Sequence, residues 1–120
     1  MPTSENKHEI RDGLETILSA GQLIVEWTAS INEHRLWADK LKRAAVERQF
    51  EVIAEAVVQL RDQDPRLLRG IPDANVAIRL GEAICYKYDK IDYGILWRAT
   101  RNELPQFTQK VQELLVSVSQ

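Results

Sequence analysis

The feature that most constrains the fold of this chain is an apolar spacing of three to four residues, without any stretch of period-two alternation. Over residues 5–30 this spacing is carried by Ile10, Leu14, Ile17, Leu18, Ile24 and Val25. Such spacing puts side chains on one face of an α-helix, whereas a half-buried strand would alternate. The sequence therefore predicts an all-α protein, an up-and-down bundle of four to five helices.

The second long helix is predicted over residues 38–62, after a short turn at Leu36 and Trp37. It should end before Pro65, because the residue that precedes a proline is pushed out of the helical region. One apolar row of this helix is Ala45, Gln49, Val52, Ala56 and Leu60, flanked by Val46, Phe50, Ile53 and Val57.

Two further helices are predicted in the C-terminal half of the chain. One starts behind an N-cap at Asp73 and runs to about residue 86 or 88, and the next starts near Asp92. Leu104 and Pro105 interrupt the latter, because a proline inside a helix removes a hydrogen bond but is tolerated in a first turn. We expect a kink or a new helix start there.

Two glycines, Gly13 and Gly21, fall inside the first predicted helix. A glycine inside a helix costs on the order of 0.5–1 kcal/mol relative to alanine. We expect a neighbouring helix to approach closely at these positions and compensate for that cost.

The composition excludes several classes of protein. A chain of 120 residues, 44% hydrophobic and 28% charged, suits one globular domain over residues 1–120 rather than a disordered or fibrous protein. No apolar run reaches the roughly 18–20 residues that span a bilayer, and the N-terminus does not resemble a signal peptide. The single cysteine, Cys85, cannot form an intrachain disulfide, and no His/Cys cluster has metal-ligand spacing. We expect a cytoplasmic protein without a metal or other cofactor.

Basic residues cluster in two places, although the net charge of the chain is −2. The clusters are Lys40, Lys42, Arg43 and Arg48, and then Arg61, Arg66 and Arg69. Acidic residues are interleaved with both, which favours a solvated helix face. The alternative is a local phosphate-binding patch, built from two chains if the protein dimerises.

Two sets of polar residues have the i, i+3, i+7 spacing that places side chains on one stripe of a helix. The sets are Arg48, Glu51 and Glu55, and Arg79, Glu82 and Tyr86. The first is either an exposed charged face or a polar cluster at a dimer seam or site floor. The second lies near the end of its predicted helix and supplies candidate catalytic residues.

Several segments carry a family resemblance. They are Ala-Val-Glu-Arg-Gln-Phe-Glu-Val-Ile-Ala-Glu-Ala at 45–56, Ile71-Pro72, Tyr88, Ile91-Asp92, Ile95-Leu96-Trp97 and Leu104-Pro105. From residue 45 onwards the chain resembles the HepT-like members of the HEPN superfamily. The resemblance implies a helical homodimer that cleaves RNA without a metal at its interface. It also implies the toxin half of a toxin–antitoxin pair, neutralised by a minimal nucleotidyltransferase.

The functional motif of that family is Arg, four residues, His, one residue, Tyr. Aligned backwards from Trp97, Tyr88 takes the tyrosine position, Tyr86 the histidine position and Gly81 the arginine position. In some members the partner adenylylates the motif tyrosine, and Tyr88 is the residue that matches. The Arg/His pair of the motif is therefore missing in this register.

Aligning the motif forwards from Pro72 does not restore it either, because Leu80 and Cys85 then take the arginine and histidine positions. Arg79 is the nearest guanidinium, one or two residues out of place. The phenol of a tyrosine has a pKa of about 10, whereas the imidazole of a histidine has a pKa of about 6.5. A tyrosine therefore cannot replace the motif histidine in proton transfer at neutral pH.

Three hypotheses follow from the altered motif. The leading one is a HepT-like protein that keeps its dimer and nucleotidyltransferase partner but cleaves RNA weakly or not at all. The second is a ribonuclease rebuilt around Arg79, Glu82 and Tyr86, with Arg48 supplied by a partner helix. The third is a nucleotide- or substrate-binding module for a nucleotidyltransferase, without a toxin role.

Overall fold

The computed structural model describes residues 4–71, 73–85 and 93–120, and these residues contain helices but no strand. The α-helices are α1 (Ser4–Thr28), α2 (Glu33–Ala38), α3 (Lys40–Gln63), α4 (Asp73–Cys85), α5 (Tyr93–Arg98) and α6 (Leu104–Ser119). A 3-10 helix, Pro65–Leu68, follows α3, and a π-helical turn, Ala99–Glu103, joins α5 to α6. The prediction of an all-α bundle is confirmed. No helix within the described ranges is long and apolar enough to cross a bilayer.

The centre of the bundle is α3, which packs against α1 on one side and α4 on the other, while α6 packs against α1. Its most buried row is Val46, Phe50, Ile53, Val57 and Leu60. Of the two apolar rows predicted for this helix, the flanking one is the more deeply buried, because Ala45, Gln49 and Val52 are only half-buried. Because α1 and α4 pack on two sides of α3, the larger side chains of the flanking row fill the space between the helices.

Close approach at the glycines of α1 is confirmed. A Cβ added to Gly13 would lie 3.1 Å from Leu60 Cδ2, and one added to Gly21 would lie 2.7 Å from Thr108 Cγ2. The missing side chains therefore allow α1 to lie close to both α3 and α6.

Capping residues set the ends of α2 and α3. Asn32 and Asp39 accept hydrogen bonds from the backbone N–H groups of Arg35 (2.8 Å) and Lys42 (3.0 Å), respectively. The predicted short turn at Leu36 and Trp37 is therefore the helix α2, and Asp39 closes it while capping α3. At the other end of α3, hydrogen bonds from Arg66 lower the pKa of Asp64, the C-cap residue.

The predicted new start at Leu104 and Pro105 is confirmed, and it takes the form of a π-helical turn rather than a break in helical structure. Proline has no N–H to donate back along the helix. Within the turn, Arg101 donates hydrogen bonds to the carbonyl oxygens of Thr28 (2.5 Å) and Ile31 (2.6 Å). Its guanidinium also lies 4.5 Å from the ring centre of Trp97. This side chain ties the end of α1 to the turn.

Candidate functional site

A groove between α3 and α4, here called the α3–α4 groove, brings together three of the predicted site residues. Its volume is about 320 Å³, and its lining includes Glu51 and Glu55 from α3 and Glu82 from α4. Gly81, the arginine position when the motif is aligned backwards from Trp97, also lines it, next to Ala54. Residues that sequence spacing assigned to two separate stripes thus face one common space.

Arg48 neutralises part of the acidic stripe on its own helix. Its Nη1 lies 3.6 Å from a carboxylate oxygen of Glu51 and 3.6 Å from one of Glu55. The Arg48 and Glu55 side chains are 58% and 64% exposed, so these are surface ion pairs. Whether this stripe forms a dimer seam or a site floor stays a prediction.

The lining of the groove is acidic even when Arg48 is counted. Three carboxylates, those of Glu51, Glu55 and Glu82, stand against one guanidinium, which gives a net charge of −2. A phosphate entering this space would meet repulsion rather than the cationic or hydrogen-bonding environment that phosphoryl chemistry needs.

Gly81 is buried at the point where α4 crosses α3. A Cβ added to Gly81 would collide with the Cβ of Ala54, and it would also lie 3.7 Å from both Ala54 Cα and Phe50 O. Collisions of this kind cannot be relieved by rotating a flexible side chain, because Ala54 has no further torsion to change. An arginine at position 81 would require α3 and α4 to move apart.

The remaining predicted site residues are not all assembled in the groove. Arg79 is exposed on α4 and does not line the groove, and no ion pair joins it to Glu82 among the described residues. Tyr86 and Tyr88 lie outside the described residues, as does Pro72. Leu80, the arginine position of the forward alignment, is buried in the core.

A second charged region lies where α2 meets α3 and is here called the α2–α3 corner. It encloses about 570 Å³ and is lined by Ile31, Arg35, Ala38, Asp39, Lys40 and Lys42. Lys40 and Lys42 belong to a basic cluster that was predicted from the sequence, whereas Arg35 was not predicted to be part of it. Arg35 lies only a few residues before the lysines, and the helix boundary at Asp39 separates them. This arrangement in the sequence could have predicted that Arg35 lies near Lys40 and Lys42.

Comparison with protein-family models gives a match to the model described as Ribonuclease HepT-like, over residues 17–114 of this chain. A protein of Thermococcus cleftensis, described as a probable ribonuclease HepT, is 31% identical over 90% of this chain and 97% of its own length. Two candidate RNases of Methanocaldococcus jannaschii are 25% and 28% identical. Their alignments cover 89% and 93% of this chain and 97% and 92% of the respective relatives. No solved structure gave a significant match.

Proposed function

This chain belongs to the HepT-like ribonuclease family, and from that premise we propose that it is a toxin–antitoxin component that binds RNA but cleaves it weakly or not at all. The observation that carries this proposal is the burial of Gly81, aligned with the motif arginine, against Ala54. A guanidinium there would stabilise the charge that develops on the reacting phosphate. The packing of α3 on α4 leaves no room for that side chain.

The charge of the α3–α4 groove supports the same proposal. With Glu51, Glu55 and Glu82 in its lining, the groove disfavours the negative charge of an RNA backbone and of a cleavage transition state. The guanidinium next to this lining on α3, that of Arg48, is already paired with two of these glutamates. Arg48 would have to leave both partners before it could stabilise a phosphate.

One of the two histidines, His8, lies at the opposite end of the bundle from the end of α4. His8 lies 3.4 Å from Asp12 in an exposed pair on α1, and His34 is exposed on α2. The beginning of α1 lies beside the end of α3, because Gln63 donates a 2.7 Å hydrogen bond to Glu9. Loss of general acid–base catalysis typically costs about 10²–10⁴-fold in rate.

The test is a cleavage assay on mixed cellular RNA, beside a HepT-like ribonuclease whose motif is intact. We expect the wild-type protein to be slower by about 100-fold or more. Comparable cleavage that persists in Tyr86→Phe would contradict the proposal. Comparable cleavage that disappears in His34→Gln would contradict it too, because His34 would then supply the imidazole.

The proposed assembly is a homodimer with a minimal nucleotidyltransferase as its partner, as the family resemblance implies. The Arg48–Glu51–Glu55 stripe is accessible enough to lie at the seam between protomers. Sedimentation at micromolar concentration tests the dimer. Adenylylation of Tyr88 by a co-expressed nucleotidyltransferase, read by mass spectrometry with Tyr88→Phe as the control, tests the partnership.

The second candidate function is a ribonuclease rebuilt around Arg79, Glu82 and Tyr86. The position of Glu82 in the groove favours it, since a carboxylate can act as a general base. Against it, Glu82 is exposed rather than buried, and Arg79 lies off the groove. This alternative requires Glu82→Gln to abolish cleavage while the fold and the dimer stay intact.

The third candidate is a substrate- or nucleotide-binding module for a nucleotidyltransferase, without a toxin role. Expression of the chain without the nucleotidyltransferase separates it from the leading proposal. Growth arrest that is relieved by the partner would favour the toxin, and unimpaired growth would favour the binding module.

A further inference from the structure

Positive charge is concentrated at one end of α3. The lining of the α2–α3 corner contains three cations, Arg35, Lys40 and Lys42, and one acid, Asp39, for a net charge of +2. The whole chain carries −2, so this lining is opposite in sign to the rest of the molecule. A local potential of this kind attracts anions to the α2–α3 corner despite the overall charge.

The cations of the corner are not neutralised by the acid beside them. The carboxylate of Asp39 accepts a hydrogen bond from the backbone N–H of Lys42 at 3.0 Å and so serves as the helix cap. Within the described ranges, no ion pair within 4 Å involves the side chains of Arg35, Lys40 or Lys42. By contrast, Arg48 and Arg66 are paired with neighbouring acids.

The corner is concave and its walls are fixed. Asn32 and Asp39 hold the first turns of α2 and α3 through hydrogen bonds to their backbone N–H groups. Ile31, which lines the pocket, is held from behind by the hydrogen bond that its carbonyl accepts from Arg101. The cations therefore project from short rigid elements around a space of about 570 Å³.

The corner lies at the end of the bundle toward which α4 runs. Gly81 lies against Phe50 and Ala54 of α3. Because an α-helix rises 1.5 Å per residue, Cys85 lies about 6 Å beyond Gly81 along the axis of α4. That direction leads toward the beginning of α3, since α4 returns along α3 after the turn that follows Gln63. At the same end, α5 contacts α2.

We propose that the α2–α3 corner binds the phosphate backbone of RNA through Arg35, Lys40 and Lys42, apart from the α3–α4 groove. This inference rests on the proposed function, which makes RNA the ligand. Cations that follow a backbone along a concave surface give binding that is tolerant of sequence and strongly dependent on salt. The proposal explains how the chain holds RNA although the groove beside Gly81 is acidic.

The test uses the full-length protein and a fluorescent oligouridylate of about a dozen nucleotides. Binding is measured by anisotropy between about 50 and 200 mM salt for the wild type and for Arg35→Gln/Lys40→Gln/Lys42→Gln. Three lost phosphate contacts should lower affinity by about 10- to 100-fold near 0.1 M salt and reduce the log–log salt slope by about 2. Circular dichroism and a thermal melt verify that the variant is folded.

The matched control, Arg11→Gln/Arg61→Gln/Arg69→Gln, also removes three positive charges, but at the opposite end of the bundle. We expect it to bind RNA within about twofold of the wild type, since these charges lie beyond a Debye length of about 10 Å from the corner. Equal losses in the two triple variants would overturn the assignment of the corner, because only net charge would then matter.

Two further outcomes separate this inference from the proposed function. RNA binding that survives in the corner variant would overturn the corner while leaving weak cleavage untouched. Equally tight binding of polyglutamate, with the same loss in the corner variant, would assign the corner to acidic protein segments and overturn RNA as its ligand. The cleavage assay is independent of both results.

Discussion

The α3–α4 groove and the α2–α3 corner are built on the same helix and have opposite electrostatic character. In the groove, the one nearby cation, Arg48, is paired with Glu51 and Glu55. At the corner, the acid of the lining, Asp39, is engaged as a helix cap. The three cations that line the corner carry no ion pair within the described part of the chain. The groove is closed to a side chain at Gly81, whereas the corner is open to solvent.

This difference teaches that binding RNA and cleaving RNA place separate demands on the fold. Binding a phosphate backbone needs only accessible cations at a suitable spacing. Cleavage also needs a positioned acid or base and a charge placed at the reacting phosphate. We propose that this chain meets the first demand at one end of α3 and has lost the second further along the same helix.

The largest effect should come from restoring the motif arginine. Gly81→Arg places a side chain where even a Cβ would collide with Ala54, so we expect α3 and α4 to separate. Overpacking typically costs about 1–3 kcal/mol and occasionally more, and this change should fall at the upper end. Urea unfolding measures the loss.

Two variants check that the loss comes from the helix contact. Gly70→Arg introduces the same side chain where nothing lies within 4 Å, and it should change stability by less than about 0.5 kcal/mol. Adding Ala54→Gly to Gly81→Arg should recover part of the loss, although glycine in a helix itself costs about 1 kcal/mol. Gly81→Arg as stable as the wild type would mean that the groove can open.

Arg101→Ala should have the next largest effect. It removes two charge-assisted hydrogen bonds, to Thr28 O and Ile31 O, together with the contact on Trp97. We expect a loss of about 2 kcal/mol, with partial retention in Arg101→Lys, which keeps the charge but not the planar fork. A thermal melt measures both, and equal stability of the wild type and the alanine variant would refute this structural role.

Neutralising the groove should strengthen RNA binding without producing cleavage. Glu51→Gln/Glu55→Gln/Glu82→Gln removes the carboxylates that disfavour phosphate, so affinity should rise by at most about tenfold, or about 1.4 kcal/mol. The anisotropy titration used for the corner measures it. A gain of cleavage in this variant would mean that charge alone, and not the missing motif, limits the reaction.

The smallest effect is expected from Arg48→Ala, because exposed ion pairs contribute about 0–1 kcal/mol. Arg48 bridges two partly exposed glutamates on its own helix, so its loss should barely change the free energy of unfolding of a monomer. A larger loss of stability that depends on protein concentration would instead place Arg48 at the proposed dimer seam.

Much of the fold could be predicted from the sequence, because apolar spacing and the prolines mark the helices directly. Predicted helices over residues 5–30 and 38–62 correspond to Ser4–Thr28 and Lys40–Gln63. The central row of α3 could not be predicted in the same way. Two adjacent rows of α3 are both apolar. Which of them is the more deeply buried is decided by where α1 and α4 pack, and the sequence of α3 does not contain that information.

The candidate site was less predictable, because it depends on distances between helices. Spacing along α3 predicted the Arg48 stripe, but not that Glu82 would share a groove with it. The backward alignment placed Gly81 at the arginine position of the motif. Its collision with Ala54 follows only from the close approach of α3 and α4. Arg35 lies beside the lysines of the corner because Asp39 ends α2 and begins α3.

The most direct test is to follow binding and cleavage of one labelled RNA in a single reaction with excess wild-type protein. The account predicts that the RNA is bound in a salt-dependent manner and stays intact, while a HepT-like ribonuclease with a complete motif degrades it. Degradation of the bound RNA at a comparable rate would contradict the account.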